Sequence, residues 1–389
     1  MFYKRTVNTV KFLHLSDLHI GKRVNEFSMI EDQIYILEQI LEIVDEKKPD
    51  AVIIAGDVYD KSMPTIEGVS LFNDFLSKLY QRDLSIFIVS GNHDSAERLN
   101  FGNQILKDNR IYIGGTFDGV LSKVSLEDSY GVVNFYLLPF VKPANVSVFY
   151  GEISNYHDAV YTVIDKSGID RETRNILVAH QFVTSNGASP ERCDSEQISL
   201  GGLDNVDVSA FDAFDYVALG HIHRAQKIGR EQIRYAGSPL KYSFSEVNHN
   251  KSVTLVTLNE KEKFSYELIP LIPLRDLRII KGPIEKLIDP EFYSQGNTKD
   301  YIHATITNEE EIYDAIGQLR RVYPNIMKLE FENSKTRKND EAKTSAQTIA
   351  SKNPLELFEE FYENQNNVPM TEEQRNIMKD LFIEKEMDK

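Results

Sequence analysis

The 389-residue chain has one cysteine, Cys193, and no tryptophan. A single thiol forms no intrachain disulfide and builds no cysteine-rich zinc site, so a reducing compartment, the cytoplasm, is expected. Long apolar runs are also missing. The first fifteen residues carry Lys4, Arg5 and Lys11 but no signal-type hydrophobic stretch, and no later segment approaches the length of a membrane span. Basic residues are the minority, 44 Lys and Arg against 60 Asp and Glu, and the net charge of -16 repels a polyanion over most of the surface. A nucleic-acid partner therefore needs a local surface or a second polypeptide. No GxxxxGK[ST] motif occurs, so no nucleotide is expected on this chain. Apolar material is plentiful: 41% of the residues are hydrophobic, including 21 Phe and 19 Tyr, which supports a sizeable core and excludes global disorder.

The first two thirds alternate short β-rich runs with helical patterns, as in an α/β fold. Residues 10–15, 51–55, 86–90, 176–179 and 216–219 are apolar runs of buried-strand length, and each leads straight into a polar cluster. Between the first two, Ile30, Ile34, Leu37, Ile40, Leu41 and Val44 recur at helical spacing, which makes a βαβ unit ending its helix near Lys47, Lys48 and Pro49. Apolar alternations at 132–138, 253–258 and 264–268 suggest a second sheet layered on the first. From 275 the pattern becomes strand (277–280), strand (301–306), helix (309–323, with Asn308 and Glu311 in capping-box positions) and strand (327–331). Residues 332–353 are polar enough to read as a tether. Beyond it, Asn353 and Pro354 open one amphipathic helix, and Thr371 with Gln374 opens another. The expected domains are thus 1–274, a cap at 275–332, a linker at 333–353 and a helical segment at 354–389.

The polar clusters at the strand ends hold Asp17, His19, Asp57, Asn92, His93, Asp94, His180, His221 and His223. In open α/β sheets the loops after the strand ends bring side chains from distant sequence together. Singly, each cluster has an ordinary explanation, a Gly-Asp turn or a hydrogen-bonded histidine. As a set they point to metal, because burying so many polar groups without an ion is costly. Carboxylate, amide-oxygen and imidazole donors without thiolate suit Mn²⁺ or Fe²⁺ better than structural zinc. Seven ligands are too many for one ion with an open position. Two ions roughly 3.5–4 Å apart, bridged by a carboxylate, imply phosphoester hydrolysis.

The segments DLHIGK (17–22), AGDVYD (55–60), GNHDS (91–95), AHQFV (179–183) and ALGHIHRAQ (218–226) together resemble the calcineurin-like metallophosphoesterase superfamily. More narrowly, ALGHIHRAQ followed by RYAGSPLKYSF (234–244) is similar to its SbcD family of bacterial nuclease subunits. The resemblance spans about the first 270 residues and implies a four-layer β-sandwich flanked by helices, a small α/β cap that binds DNA, and a C-terminal helix pair. It implies that Asp17, His19, Asp57 and His223 hold one Mn²⁺ and that Asp57, Asn92, His180 and His221 hold the other, with Fe²⁺ or Mg²⁺ as substitutes. His93, not a ligand, would stabilise the developing charge or protonate the leaving oxygen, with Asp94 orienting it. Asp60 stands where archaeal and eukaryotic relatives carry a second histidine, so a role for that imidazole does not transfer.

Between 221 and 241, Arg224, Lys227, Arg230, Arg234 and Lys241 face one acid, Glu231, in an otherwise acidic chain. With Lys22, Arg23 and Arg98 they are candidates for contacts to DNA phosphates; a charged, solvated strand edge is the competing explanation. The terminal segment holds Leu355, Phe358, Phe361, Tyr362, Ile377, Met378, Leu381 and Phe382 on apolar faces in an acidic background, which suits a protein partner. By resemblance that partner is an SbcC-type ATPase. The implied assembly is a homodimer within a heterotetramer, cutting DNA ends, hairpins and single strands in repair, recombination and replication. Single-strand endonuclease activity would be independent of ATP, and double-strand exonuclease activity dependent on it. A small-molecule phosphodiesterase or phosphatase on the same fold is the alternative, and a binding scaffold with a vestigial site a third.

Overall fold

The near-uninterrupted apolar runs Val10–Leu15, Ala51–Ala55 and Ser85–Val89 are strands whose residues are buried on both faces, the condition for parallel strands covered from two sides. The computed structural model describes residues 9–196 and 204–334, and beyond them 355, 358–359, 361–363 and 369–378. The tether at 335–353, Pro354, Leu381 and Phe382 lie outside the described residues.

One six-stranded sheet runs in the order Phe264–Pro270, Ser252–Leu258, Val10–Leu15, Ala51–Ala55, Ser85–Val89, Ile111–Gly114. Its last four strands are parallel, while Ser252–Leu258 and Phe264–Pro270 are antiparallel. The second sheet runs Gln226–Ile228, Arg230–Tyr235, Tyr216–Gly220, Arg174–His180, Gly131–Leu138, Ser122–Asp128. Between them lies a dry layer of Phe12, Ile53, Phe87, Phe135, Ile176, Val178 and Val256, with Phe87 stacked on Phe135 at 4.2 Å between ring centroids. Helices Ile30–Lys47 and Ile66–Tyr80 cover the outer face of the first sheet, and Pro143–Tyr150 and Tyr156–Lys166 that of the second. The result is the expected four-layer sandwich.

The structure corrects three readings of the sequence. Residues 253–258 and 264–268 form a hairpin on the first sheet, not the second, because Val10 pairs with Leu258. Short alternating runs declare a strand but not its neighbour. The apolar stretch at 96–106 is two short helices, Ala96–Leu99 and Asn103–Lys107, parted by Gly102 in the left-handed region at φ +72°. The expected helix at 309–323 shrinks to Ala315–Arg320, capped by Asp314, while Asn308 accepts a hydrogen bond from the Ile284 N–H instead of capping it.

The chain divides into two compact units, one of 1–279 with 297–303 and 323–328, the other of 280–296, 304–322 and 329–389. Strands Leu277–Gly282, Tyr301–Ile306 and Ile326–Phe331, in that order, form a three-stranded sheet whose residues are shared between the two. In the first unit Asp32 is fully buried and accepts from Arg275 at 2.6 Å and from the Tyr301 hydroxyl at 2.6 Å. In the second, 361–363 and 372–378 are helical. The capping box forms as expected: Thr371 N–H donates to Gln374 at 2.9 Å, and Gln374 N–H to the Thr371 hydroxyl at 3.3 Å. Gln374 also donates to the Tyr362 hydroxyl at 3.1 Å, tying the two helical pieces together. No helix among the described residues is long and apolar enough to cross a membrane.

Candidate metal centre

Each expected ligand hangs from the turn that follows a buried strand, and four of them strain the backbone to do so. Asp17 (φ 53°), His19 (φ 44°), Asp57 (φ 50°) and His221 (φ 97°) all occupy positive φ, which costs about 1–3 kcal/mol per residue and persists only where surrounding structure enforces it. Two glycines permit the approach of the loops. A Cβ on Gly56 would lie 2.2 Å from His180 Nδ1, and one on Gly91 would lie 2.1 Å from Asp57 Oδ1. Gln33, inside the first helix, donates to the His19 carbonyl at 2.7 Å and accepts from Gly21 N–H at 2.9 Å, holding the Asp17–His19 turn.

The side chains converge on two adjacent positions. His19 Nε2 lies 3.0 Å from His223 Nε2 and 3.7 Å from Asp57 Oδ2, with Asp17 within reach of both rings. Asn92 Oδ1 lies 3.0 Å from His180 Nε2 and 2.9 Å from His221 Nδ1, and Asp57 Oδ2 lies 3.2 Å from His180 Nε2. Asp57 thus belongs to both groups. Backbone and side-chain donors aim the acceptors: His221 N–H donates to Asp17 Oδ1 at 2.9 Å, Ser16 to Asp17 Oδ2 at 2.5 Å, and His93 N–H to Asp57 Oδ1 at 2.9 Å.

Burial opposes charge on Asp57, but the imidazoles of His180, His19 and His93 outweigh it and hold the carboxyl well below its usual range. Burial pushes Asp17 upward. Burial also works against His180, yet the charge of Asp57 and its hydrogen bond raise that imidazole to about 9. Burial, reinforced by the charge on His180, drives His221 down to about 3, and burial holds His19 well below its ordinary value.

These residues fit divalent ions. Two buried imidazole nitrogens face each other at 3.0 Å, an amide oxygen sits between two more, and His19 Nδ1 and His221 Nε2 have no hydrogen-bond partner among the described residues. Such a crowd of lone pairs calls for a cation. The donors are nitrogen and oxygen only, which matches a borderline-to-hard metal.

His93 stands at the rim, its ring 4.8 Å from that of His19, and its Nδ1 is bonded to the Asp60 carbonyl at 2.9 Å, which leaves Nε2 for other work. Asp94 does not touch that ring. Its carboxylate accepts from the backbone N–H groups of Val58, Tyr59 and Gly91 at 3.1, 2.9 and 2.9 Å, so it braces the two loops that carry Asp57 and Asn92. Asp60, in place of a histidine, pairs with Lys22 at 2.8 Å.

The basic candidates separate. Arg234 is buried, lies 3.8 Å over the Tyr266 ring and pairs with Glu231 at 3.1 Å, so it cannot reach a DNA backbone. Its place on the edge of the sandwich was hidden because strand Arg230–Tyr235 has no apolar periodicity. Arg224 and Lys227 are exposed but paired with Glu191 and Glu231, and Arg230 and Lys241 are paired with Asp212 and Asp276. Arg23 bonds the Glu26 carbonyl, and Arg98 the Ser62 carbonyl at 3.3 Å. In the terminal segment Phe361 and Ile377 are exposed, while Leu355, Phe358, Tyr362 and Met378 are partly buried. Sequence reasoning missed Ser195, Glu246 and Lys251, which lie behind His223; only the unexplained acid in the turn Phe244–Glu246 could have pointed to them.

The calcineurin-like phosphoesterase family matches residues 10–225, and the type 5 capsule protein repressor C-terminal domain, SbcD_C, matches 273–366. A curated relative, the SbcD subunit of nuclease SbcCD from Staphylococcus epidermidis, is 32% identical over 382 residues, which make up 96% of this chain and 98% of that protein. Among solved structures, a dimetal phosphatase from Danio rerio is similar with a TM-score of 0.38 and 12% identity, over 68% of this chain and 100% of its own. The protein TT1561 of Thermus thermophilus is similar with a TM-score of 0.39 and 10% identity, over 67% and 99%.

Proposed function

The chain belongs to the calcineurin-like phosphoesterase family and is a metal-dependent phosphodiesterase, and from that premise we propose that it is the nuclease subunit of an SbcCD-type complex, cutting DNA with two Mn²⁺ ions. The observation that carries the nuclease reading is the length of the match. The staphylococcal SbcCD nuclease subunit aligns over 96% of this chain, cap and terminal segment included, and a hydrolase of small phosphodiesters has no use for either.

In this reading residues 1–274 form the nuclease domain, 275–332 the DNA-contacting cap, 333–353 a linker, and 354–389 the segment that binds the ATPase. Asp17, His19, Asp57 and His223 hold one ion, and Asp57, Asn92, His180 and His221 the other. The ions polarise the scissile phosphoryl oxygen and lower the pKa of bound water. The remaining steps belong to the chain. His93, fixed by its Nδ1–H bond to the Asp60 carbonyl, directs Nε2 at the leaving oxygen and gives it a proton. Its own N–H bond to Asp57 Oδ1 locks that imidazole in register with the carboxylate shared by both groups. Asp94 keeps Asn92 and Asp57 in place through the backbone.

The test is cleavage by the purified chain, with and without its ATPase partner, of DNA hairpins, duplex ends and a small chromogenic phosphodiester in Mn²⁺. Metal-dependent cutting of single strands by the chain alone, and of duplex ends with partner and ATP, is expected. Turnover of the small diester with no cleavage of any DNA would replace the reading by a small-molecule phosphodiesterase.

A further inference from the structure

The ring of His223 is the only one of the four ligand imidazoles whose outer nitrogen is bonded to a side chain among the described residues. His180 uses the Ala55 carbonyl at 2.8 Å, while His19 Nδ1 and His221 Nε2 have no hydrogen-bond partner. His223 Nδ1 lies 2.8 Å from the hydroxyl of Ser195, which lies 2.6 Å from Glu246 Oε1. Glu246 is fully buried; its other oxygen accepts from Lys251 at 2.6 Å, and Oε1 also accepts from Tyr242 N–H at 3.0 Å and from Ser243 at 3.1 Å.

Proton accounting settles the direction of this chain of bonds. A carboxylate paired with a buried ammonium and surrounded by donors accepts only, so the single hydroxyl proton of Ser195 goes to Glu246. Ser195 Oγ must then accept at His223, which puts the proton on Nδ1 and leaves the Nε2 lone pair facing His19. Lys251 closes the loop by donating to the His223 carbonyl at 2.8 Å, and Glu196 accepts from the His223 N–H at 2.8 Å. Cys193, Glu196 and His223 have the spacing of a metal triad, but Nδ1 is already committed to Ser195.

We propose that Ser195 and Glu246 are positioning residues for the metal centre: the serine relays the carboxylate to His223, fixes its tautomer and aims Nε2 at the ion that His223 shares with Asp17 and His19. The proposal rests on the two-ion reading of the site. Outer-shell partners of this kind are typically worth about ten- to a hundredfold in metal affinity, because an unheld imidazole spends part of its time in the wrong tautomer and orientation.

Calorimetric titration of the chelator-stripped full chain with Mn²⁺ tests it without any activity assay. The wild type should show two binding steps. Ser195→Ala should weaken one step by about ten- to a hundredfold and leave the other unchanged, whereas Ser195→Thr, which keeps the hydroxyl, should return it to within a few-fold of wild type. Two wild-type steps in Ser195→Ala would overturn the proposal, as would a threonine variant as weak as the alanine one. Wild-type chain that binds no Mn²⁺ would overturn the metal centre itself, and this proposal with it.

Discussion

In the strand-end cluster every donor side chain descends from a turn after a fully buried strand, and its geometry is over-determined by backbone hydrogen bonds from several loops. In the terminal segment the anchoring is sparse: a capping box, a Gln374–Tyr362 bond and an Arg375–Glu359 pair, with Phe361 59% and Ile377 57% exposed. The first region stores strain to hold polar atoms together; the second leaves apolar surface bare. A site that does chemistry needs preorganisation before substrate arrives, whereas a docking helix completes its core on the partner.

Breaking the first region at its centre should have the largest effect. Asp57→Asn removes the charge shared by both ligand groups, and DNA cleavage should fall by roughly a thousandfold or more, the scale of several kcal/mol of lost transition-state stabilisation. Calorimetry should find both Mn²⁺ steps weakened; one step at wild-type affinity would show that Asp57 is not the bridge. His93→Ala separates holding metal from using it: cleavage should drop by about a hundred- to ten-thousandfold while Mn²⁺ binding stays near wild type. Lost metal binding would make His93 a ligand.

The terminal segment should respond in the opposite way. Truncation after Asn333, or Phe358→Asp with Phe361→Asp, should leave Mn²⁺ binding and single-strand cleavage intact but abolish ATP-stimulated cutting of duplex ends, because the partner is no longer held at high local concentration. Undiminished co-purification of the truncated chain with its ATPase would place the docking surface elsewhere.

The smallest effect concerns His14, buried between the sheets beneath the cluster, where it bonds the Tyr216 hydroxyl at 3.1 Å and the Leu219 carbonyl at 3.2 Å. Burial lowers it from 6.5 to about 3. The unfolded chain takes up a proton that the fold excludes, so its contribution is complete above pH 6.5 and is lost as pH falls toward 3, with a slope of about 1.4 kcal/mol per pH unit inside that window. Urea unfolding at about pH 7 and about pH 5, one on each side of the ordinary imidazole range, should show a larger loss for wild type than for His14→Gln. Equal losses would mean that His14 is already charged in the fold.

The site was legible because its residues are tied to strand ends, and strand ends are among the clearest marks in a sequence: an apolar run stops and Asp17, Asp57, Asn92, His180 or His221 follows within a few residues. The terminal capping box was legible for a similar reason, being an interaction between positions three apart. Arg234 was misread because charge in a sequence carries no direction, and its burial depends on Tyr266 and Glu231, neither of them a sequence neighbour at the site's spacing. Asp94 was assigned to His93 because the two are adjacent in the chain, yet adjacent side chains diverge, and the carboxylate turns back to the Val58 and Tyr59 backbone.

The order of buried strands, the donors that follow them, the absence of thiolate and the amphipathic ending are local properties, and the amino-acid sequence by itself determined them. Which sheet the 252–270 hairpin joins, which carboxylate serves both ligand groups, and which hydroxyl stands behind His223 were decided only in three dimensions. Each depends on partners between 28 and more than 200 residues apart, brought together by the closing of two sheets over one dry layer, and no local preference encodes such a pairing.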